Sequence, residues 1–196
     1  MSNYSIVIPS YKRAELIKTH TLKVLENYKI SSKKIFIFVA NYTEYKEYYK
    51  SLDKKFHTNI IIGKKGLKNQ RNFISSYFPI NSKIVQFDDD IKSINELINY
   101  NIKNRKENKL KTLSNLDKFI KDAFKKSEKN NSFLWGVYPV NNAYFMFPKM
   151  TNDLRFITGP MFGIINRHLS KLKLTINEKE DTQRTLQYFT LDKSVI

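Results

Sequence analysis

The stretch IVQFDDDIKS, residues 84–93, joins an apolar strand directly to three carboxylates. Ile84, Val85 and Phe87 are typical of a strand that is buried on both faces. Asp88–Asp90 follow without a polar spacer, in a chain whose formal net charge is +17. Adjacent carboxylates repel one another, so the cluster costs stability unless a cation or several hydrogen-bond donors compensate for it. The stretch therefore predicts a buried strand that ends at a charged site.

The residues before this stretch alternate between strand and helix patterns. Apolar runs predict four strands, at residues 4–9, 34–40, 59–63 and 83–88. Between them, apolar residues recur every three or four positions and predict helices at about 14–28, 43–54 and 67–78. Strands that are apolar on both faces and separated by helices indicate an α/β fold with a mostly parallel central sheet flanked by helices.

The composition changes after the acidic triplet. Residues 99–131 are basic and carry a second amphipathic helix, which either packs on the sheet or forms a phosphate-tracking surface. From residue 133 onward, FLWGVYPV, AYFMF and LRFITGPMFGII predict short strands, and a last helix is expected at about 179–189. We expect one domain over residues 1–196, with an α/β part at about 1–98, a basic helical segment at about 99–131 and a mixed C-terminal part at about 132–196.

The bulk composition limits the chemistry and the partners of the chain. It has 196 residues, no cysteine and three scattered histidines, so a metal site must use hard oxygen ligands. No apolar run approaches the roughly 20 residues that span a bilayer, and MSNYSIVIPS lacks the layout of a secretion signal. We therefore expect a cytoplasmic protein that has no membrane-spanning segment. The excess of lysine reflects either composition bias or a polyanionic partner such as DNA.

The acidic triplet is a candidate metal site. In an open parallel sheet, ligands bind beyond the carboxyl ends of the strands, which is where the triplet lies. Alternation along the chain puts Asp88 and Asp90 on one side and Asp89 on the other. Mg²⁺ and Mn²⁺ commonly take one or two protein carboxylates together with phosphate oxygens of a substrate. The alternative is that the triplet caps a helix that starts near Ile91.

Two basic loops leave strands at the same edge of the predicted sheet. PSYKR, residues 9–13, follows the first strand, and GKKGLKNQRNFI, residues 63–74, follows the third strand and opens a helix. Cationic side chains and the free N–H groups of a helix start suit a diphosphate, and an aromatic ring can stack on a base. The side chains expected at this edge are Tyr11, Arg13, Lys64, Lys65, Lys68 and Arg71. Together the loops predict a nucleoside diphosphate site.

Six motifs in this order resemble those of the GT-A glycosyltransferases. They are IVIPSYKR, GLKNQRNFI, FDDDI, WGVYPVNNAYFM, ITGPMFGIINR and EKEDTQRTLQYF, and they are distributed over nearly the whole chain. FDDDI corresponds to the DxD motif of that class. More closely, the chain resembles a group of small viral and phage enzymes in that class, including ones that add sugars to hydroxymethylated pyrimidines in DNA. The resemblance implies a GT-A fold, a nucleotide-sugar donor with UDP favoured, and an Mn²⁺ or Mg²⁺ ion.

The resemblance also implies roles for individual residues. Asp88 contacts the ribose or the metal, Asp90 binds the metal, and Arg71 steadies the aspartates or the diphosphate. Gly159 and Gly163 let the backbone approach the sugar, or simply form a packing turn. The cofactor-binding residues are then Pro9, Tyr11, Arg13, Lys68, Arg71, Asp88, Asp89 and Gly159, and the metal ligands are Asp88 and Asp90.

The acceptor end of the site is expected in EKED, residues 178–181. There Glu180 and Asp181 correspond to the catalytic acidic pair, with Asp181 as the base that removes the acceptor proton, although acids at a helix start need no chemistry at all. The favoured acceptor is a hydroxymethylated pyrimidine in viral or phage DNA, in the host cytoplasm. Its base would be flipped beside Trp135, Tyr138 or Tyr144, unless these rings belong to the core.

Other functions remain open from the sequence. The acceptor is alternatively a glycan or a protein. A nucleotidyltransferase shares the acids and the basic loop, but PSYKRAEL lacks its glycine-rich loop, and a noncatalytic nucleic-acid-binding module leaves the acidic triplet unexplained. The oligomeric state is left open too.

Overall fold

The computed structural model describes residues 4–196, so the first three residues of the expected domain lie outside it. In these residues the central sheet has six strands in the spatial order β3-β2-β1-β4-β8-β7. The strands are β1 (Tyr4–Pro9), β2 (Ile35–Val39), β3 (Ile60–Ile62), β4 (Lys83–Phe87), β7 (Leu134–Gly136) and β8 (Met161–Ile165). The first four pair in parallel, whereas β8 pairs antiparallel with both β4 and β7. The expected α/β fold with a mixed C-terminal part is confirmed.

Helices cover both faces of this sheet. They are α1 (Ala14–Ile17) and α2 (Lys23–Asn27), which are continuous through a π-helical turn at Lys18–Leu22, then α3 (Tyr42–Ser51), α4 (Leu67–Tyr77), α5 (Leu116–Lys129) and α6 (Glu180–Asp192). Ile6 and Ile8 of β1 point into a core shared with α1, α2, α3 and α5. Val7 points to the opposite core, with Ile74 of α4 and Tyr188 of α6. Each fully buried aliphatic side chain stabilises the fold by about 1.5–3 kcal/mol.

The segment after the acidic triplet differs from the expectation of a basic helical segment. Residues 99–115 contain no α-helix: Asn95–Ile98 (β5) and Lys109–Thr112 (β6) form a separate antiparallel hairpin, with a 3-10 turn at Arg105–Glu107 between them. Only the second half is helical: α5 buries Leu116, Ile120 and Phe124 against the sheet. The packing interpretation of this helix is thus the correct one.

The expected strand in AYFMF is also wrong. Residues Ala143–Phe145 form a 3-10 turn, in which the Asn142 side chain accepts a hydrogen bond from the N–H of Tyr144 at 3.0 Å. An asparagine that bonds the backbone two residues on favours a turn over a strand.

Among the described residues, no helix combines the length and the apolar composition needed to cross a bilayer.

Candidate active site

The three predicted loops meet at one edge of the sheet, beyond the carboxyl ends of the parallel strands. The N–H of Ser10, after β1, donates to the carbonyl of Phe38 in β2 at 2.9 Å, and the N–H of Gly63, after β3, donates to Val39 at 2.8 Å. β8 runs antiparallel to β4, so it begins at the same edge, where the Pro160 carbonyl accepts from Asp88 N–H at 2.9 Å. The parallel topology is what brings these sequence-distant residues together.

Asp88 is a half-buried carboxylate without a close counter-ion. Within residues 4–196 its oxygens form no ion pair. Burial raises the pKa of Asp88, the positive Arg71 opposes this, and the neighbouring Asp90 and Asp89 raise it further. A desolvated carboxylate that also faces like charges is stabilised by a cation. Asp88 therefore fits the role of a metal ligand.

Asp90 completes a two-carboxylate site. Its side chain is 52% exposed, and Arg13 Nη1 lies 3.6 Å from its Oδ2. In the part of the chain that the structure describes, no group of three or more histidines, cysteines and acids could hold a metal. Two carboxylates leave most coordination positions open, as suits Mg²⁺ or Mn²⁺ when phosphate oxygens supply further ligands. No helix starts near Ile91, where β5 follows instead, so the helix-cap alternative is wrong.

Asp89 lies in a different environment from its two neighbours. Its side chain is only 8% exposed. Ser10 Oγ donates to its Oδ2 at 2.5 Å, and Arg13 Nη1 donates to its Oδ1 at 3.0 Å. Both oxygens are thus bonded within the protein. The contact of Asp89 with a cofactor stays a prediction, whereas its anchoring of the loop after β1 is visible.

A buried tyrosine completes this anchor. The Tyr48 hydroxyl lies 2.6 Å from Ser10 Oγ and accepts from the Arg13 N–H at 3.0 Å. Because Ser10 donates to Asp89, the Tyr48 hydroxyl donates to Ser10, and burial raises the pKa of Tyr48 so that it keeps its proton. Neither Ser10 nor Tyr48 was predicted for the site. The only sequence signal was the position of Ser10 inside PSYKR.

The anchored loop presents an exposed ring. Lys12 adopts a left-handed backbone (φ 56°), and its N–H donates to Glu44 Oε2 at 2.7 Å. Tyr11 is thereby held at the surface, with the Lys65 ammonium 6.0 Å from its ring centroid. Pro9 ends β1 just before this turn. Lys68 points elsewhere, since its ammonium donates to the Thr175 carbonyl at 3.2 Å.

Arg71 connects the triplet with the start of α6. It is buried, and its Nη2 lies 3.3 Å from Glu180 Oε1, while its Nε and Nη1 have no hydrogen-bond partner among the described residues. Burial lowers the pKa of Arg71, and the negative charges of Glu180, Asp88 and Asp181 oppose that shift. Among the described residues, the direct partner of Arg71 is therefore Glu180 and not an aspartate of the triplet, and the contact of Arg71 with a diphosphate stays a prediction.

A second buried arginine lies beside it and was missed by the sequence analysis. Arg184 follows Glu180 by one helical turn, and its guanidinium carbon lies 3.6 Å from the ring centroid of Phe162. Burial lowers the pKa of Arg184 to about 9, with a further lowering by the positive Arg71. Its three side-chain nitrogens have no hydrogen-bond partner within residues 4–196. The spacing from Glu180 was the available signal, because residues four apart share a helix face.

The two candidate catalytic acids have different surroundings. Glu180 is buried in its ion pair with Arg71. Asp181 is half-buried and accepts from the adjacent Thr182 N–H at 2.7 Å. Its carbonyl accepts from Thr185 Oγ1 at 2.9 Å, which fixes the first turn of α6. Glu180 is buried and engaged by Arg71, whereas Asp181 is partly accessible, so Asp181 is the acid that an acceptor hydroxyl can reach more easily.

The two glycines around Pro160 have different structural causes. Gly159 has φ +94°, and a Cβ there would lie 2.6 Å from the Cβ of Pro139. It therefore permits the turn that places the Pro160 carbonyl against Asp88. A Cβ on Gly163 would lie 2.2 Å from the Trp135 indole, so packing explains that glycine.

The aromatic residues considered for stacking separate into two groups. Trp135 is buried and meets Phe124 edge-on at a centroid distance of 5.5 Å, so it belongs to the core. Tyr138 and Tyr144 are exposed in the loop between β7 and β8.

Comparison with solved structures finds a similar fold. Residues 1–349 of S. aureus TarS match 99% of this chain at 14% identity with a TM-score of 0.55, and the chain covers 58% of that structure. The same protein in complex with UDP-GlcNAc matches 99% of the chain at 14% identity with a TM-score of 0.52, with 56% of that structure covered. The chain thus spans little more than half the length of these structures. No protein-family model matches the sequence, and no curated protein is significantly similar to it.

At this identity the likeness shows the fold, which is the GT-A-like arrangement of a mainly parallel sheet flanked by helices. A shared fold does not by itself assign a reaction, so the function has to be argued from the site.

Proposed function

We propose that this protein is a metal-dependent glycosyltransferase that moves a sugar from a UDP-sugar to a hydroxyl acceptor. The observation that carries the proposal is the Asp88 carboxylate, which is half-buried and, within residues 4–196, forms no ion pair at the edge where the predicted loops meet. A neighbour of the same fold was crystallised with UDP-GlcNAc, which supports UDP as the nucleotide of the donor.

At the donor end, the exposed Tyr11 ring can stack on the base, and Arg13 can extend one guanidinium nitrogen toward the diphosphate. Asp88 and Asp90 would hold Mn²⁺ or Mg²⁺. When bound, such an ion neutralises the charge that develops on a leaving diphosphate. Asp89 keeps the loop of Tyr11 and Arg13 in register with these two carboxylates through its bonds to Ser10 and Arg13.

At the acceptor end, Asp181 serves as the general base. The acceptor oxygen attacks the anomeric carbon, the bond from that carbon to the diphosphate oxygen breaks, and UDP leaves with the bonding electrons. The acceptor proton passes to the Asp181 carboxylate. One direct displacement inverts the anomeric configuration. Arg71 holds Glu180 as a positioning residue, which sets the first turn of α6 relative to Asp88.

The favoured acceptor is a hydroxymethylated pyrimidine in viral or phage DNA, with the reaction in the host cytoplasm. A formal charge of +17 favours a polyanionic substrate over a neutral glycan. The exposed Tyr138 and Tyr144 lie in the loop between β7 and β8. This loop ends at Pro160, whose carbonyl is hydrogen-bonded to the N–H of Asp88.

A melting-temperature screen of nucleotide sugars with and without Mn²⁺ tests the proposal. A ligand at 100 times its Kd stabilises the folded state by about 2.7 kcal/mol. For a chain of this size this corresponds to a rise of roughly 5–10 °C. We expect that rise for UDP-sugars only with metal, and expect Asp90→Asn to lose it. A flat response to every donor refutes the proposal.

A further inference from the structure

We propose that the loop between β7 and β8 and the β5–β6 hairpin together form a binding surface for single-stranded DNA. We call the loop's five exposed rings the aromatic rim: Tyr138, Tyr144, Phe145, Phe147 and Phe156. This deepens the proposed function, because it assigns the acceptor strand to a surface beside the same site.

The rim lies at the edge of the sheet that carries Asp88. Gly136 of β7 pairs with Phe162 of β8, so the end of one strand adjoins the start of the other. The loop that joins them must therefore begin and end at the carboxyl edge of β4. The bond from Asp88 N–H to the Pro160 carbonyl, 2.9 Å long, fixes its last residue to the acidic triplet.

The rings of the rim are exposed and lie close together in the sequence. Their relative exposures lie between 44% and 55%. Five large aromatic residues within 19 positions exceed the scattered apolar residues of an ordinary surface, and such patches mark interaction sites. The Asn142 side chain accepts a hydrogen bond from the backbone N–H of Tyr144, and the ring of Tyr144 stays exposed.

The hairpin holds the rim in place and joins it into one surface. Asn108 Nδ2 donates to the Ala143 carbonyl at 3.2 Å, and Asn95 Nδ2 donates to Asn141 Oδ1 at 3.0 Å. The Arg105 guanidinium lies 4.3 Å from the ring centroid of Phe147. A cation above an exposed ring is thus already part of the surface.

The charge of this surface favours a polyanion. The hairpin, residues 95–112, and the loop, residues 137–160, together contain seven lysines and arginines against three acids, a balance of +4. Two of the acids are already paired, Glu96 with Lys111 at 3.3 Å and Asp153 with Arg155 at 3.2 Å. Exposed lysines remain at 103, 106, 109 and 149.

Rings interleaved with cations are what a single strand of nucleic acid requires. Bases stack on the rings, and the phosphates lie against the lysines. In a duplex the base faces are covered, so an acceptor hydroxyl on a base must leave the stack to reach Asp181. A second copy of this chain would bury the rings but would bring two positive surfaces together.

Fluorescence anisotropy with a labelled single-stranded oligonucleotide of about 16 nucleotides, without donor or metal, tests the inference. Tyr144→Ala should weaken binding by roughly fivefold or more, since one base–ring stack contributes at least that much. Tyr49→Ala is the matched control, because Tyr49 is 46% exposed but lies on α3. Lys109→Gln should reduce the slope of log K against log salt by about 0.7. Circular dichroism verifies that each variant is folded.

Several results would overturn the inference. One is that the protein does not bind the oligonucleotide even at low salt, and another is that Tyr144→Ala and Tyr49→Ala lose equal affinity for it. A third is that a duplex binds as tightly as the single strand, and a fourth is that the protein forms a dimer in solution that Tyr144→Ala dissociates. The outcome separates from that of the proposed function. Stabilisation by UDP-GlcNAc with Mn²⁺ but no rim-dependent DNA binding rejects this inference alone. Rim-dependent binding without any donor response supports the surface and rejects the transferase.

Discussion

Replacing Asp89 by asparagine should destabilise the fold, whereas the same change at Asp90 should not. The buried Asp89 carboxylate accepts from Ser10 and Arg13, and it anchors the loop after β1. Asparagine retains one oxygen and puts an NH₂ group where the second acceptor was. One charge-assisted hydrogen bond is lost outright, and the other becomes a weaker neutral bond.

The size of the effect follows from these contacts. Hydrogen bonds to charged groups contribute about 1.5–3 kcal/mol each. Asp89→Asn should therefore cost roughly 2–4 kcal/mol, since one such bond disappears and a second weakens. At about 2–4 °C per kcal/mol for a chain of this length, the melting temperature falls by roughly 5–15 °C. Asp90 is half exposed and lies 3.6 Å from Arg13. A surface pair of this kind contributes about 1 kcal/mol or less.

The assay is thermal unfolding by circular dichroism of both variants, with and without Mn²⁺ and UDP. Asp89→Asn should unfold earlier and still gain stability from the ligands. Asp90→Asn should unfold like the parent and gain none. Equal loss of stability in the two variants, or an unchanged melting temperature for Asp89→Asn, would show that the triplet is not divided in this way.

Three further predictions concern the same site. The pKa of Asp88 is raised mainly by burial, so the folded state holds the Asp88 proton more tightly than the unfolded state does. As the pH rises from about 4 through the folded-state pKa, the metal-free parent protein should therefore lose stability relative to Asp88→Asn. Melting temperatures of the two proteins that change in parallel with pH would contradict this. Arg71→Met should lower the free energy of unfolding by about 3–5 kcal/mol, because Glu180 is left buried and unpaired. Arg184→Met breaks no hydrogen bond among the described residues, so it should leave the stability unchanged or raise it. Urea unfolding measures both variants, and the reverse order of stability would refute the argument. Gly159→Ala should lower the free energy of unfolding by at least about 1–2 kcal/mol, because a backbone φ of +94° disfavours any side chain. A variant as stable as the parent protein would mean that the turn can change its conformation without loss of stability.

The parallel part of the fold could be predicted because its signals are local. The first four strands are short and mostly apolar runs, and the helices that follow the first three of them repeat apolar residues at helical spacing. Once the strands are parallel, their loops must meet at one edge, which is why PSYKR and the triplet could be assigned to a single site.

The features that were missed depend on contacts between distant residues. Ser10 meets Asp89 across 79 positions, and Tyr48 lies on a helix whose sequence shows only an apolar face. AYFMF has the composition of a strand, but its rings are exposed and its backbone is turned by Asn142, which composition alone does not reveal. The β5–β6 hairpin has few apolar residues, so its pattern resembles that of a basic surface segment.

The most direct test of the account is diffraction from crystals soaked with Mn²⁺ and UDP, recorded at a wavelength where manganese scatters anomalously. We expect one strong anomalous peak within about 2.0–2.3 Å of carboxylate oxygens from Asp88 and Asp90, with diphosphate oxygens of UDP as further ligands. Asp89 should remain bonded to Ser10 and Arg13. An anomalous map without manganese at these two aspartates, from crystals soaked at UDP concentrations that saturate binding, would contradict metal binding by Asp88 and Asp90.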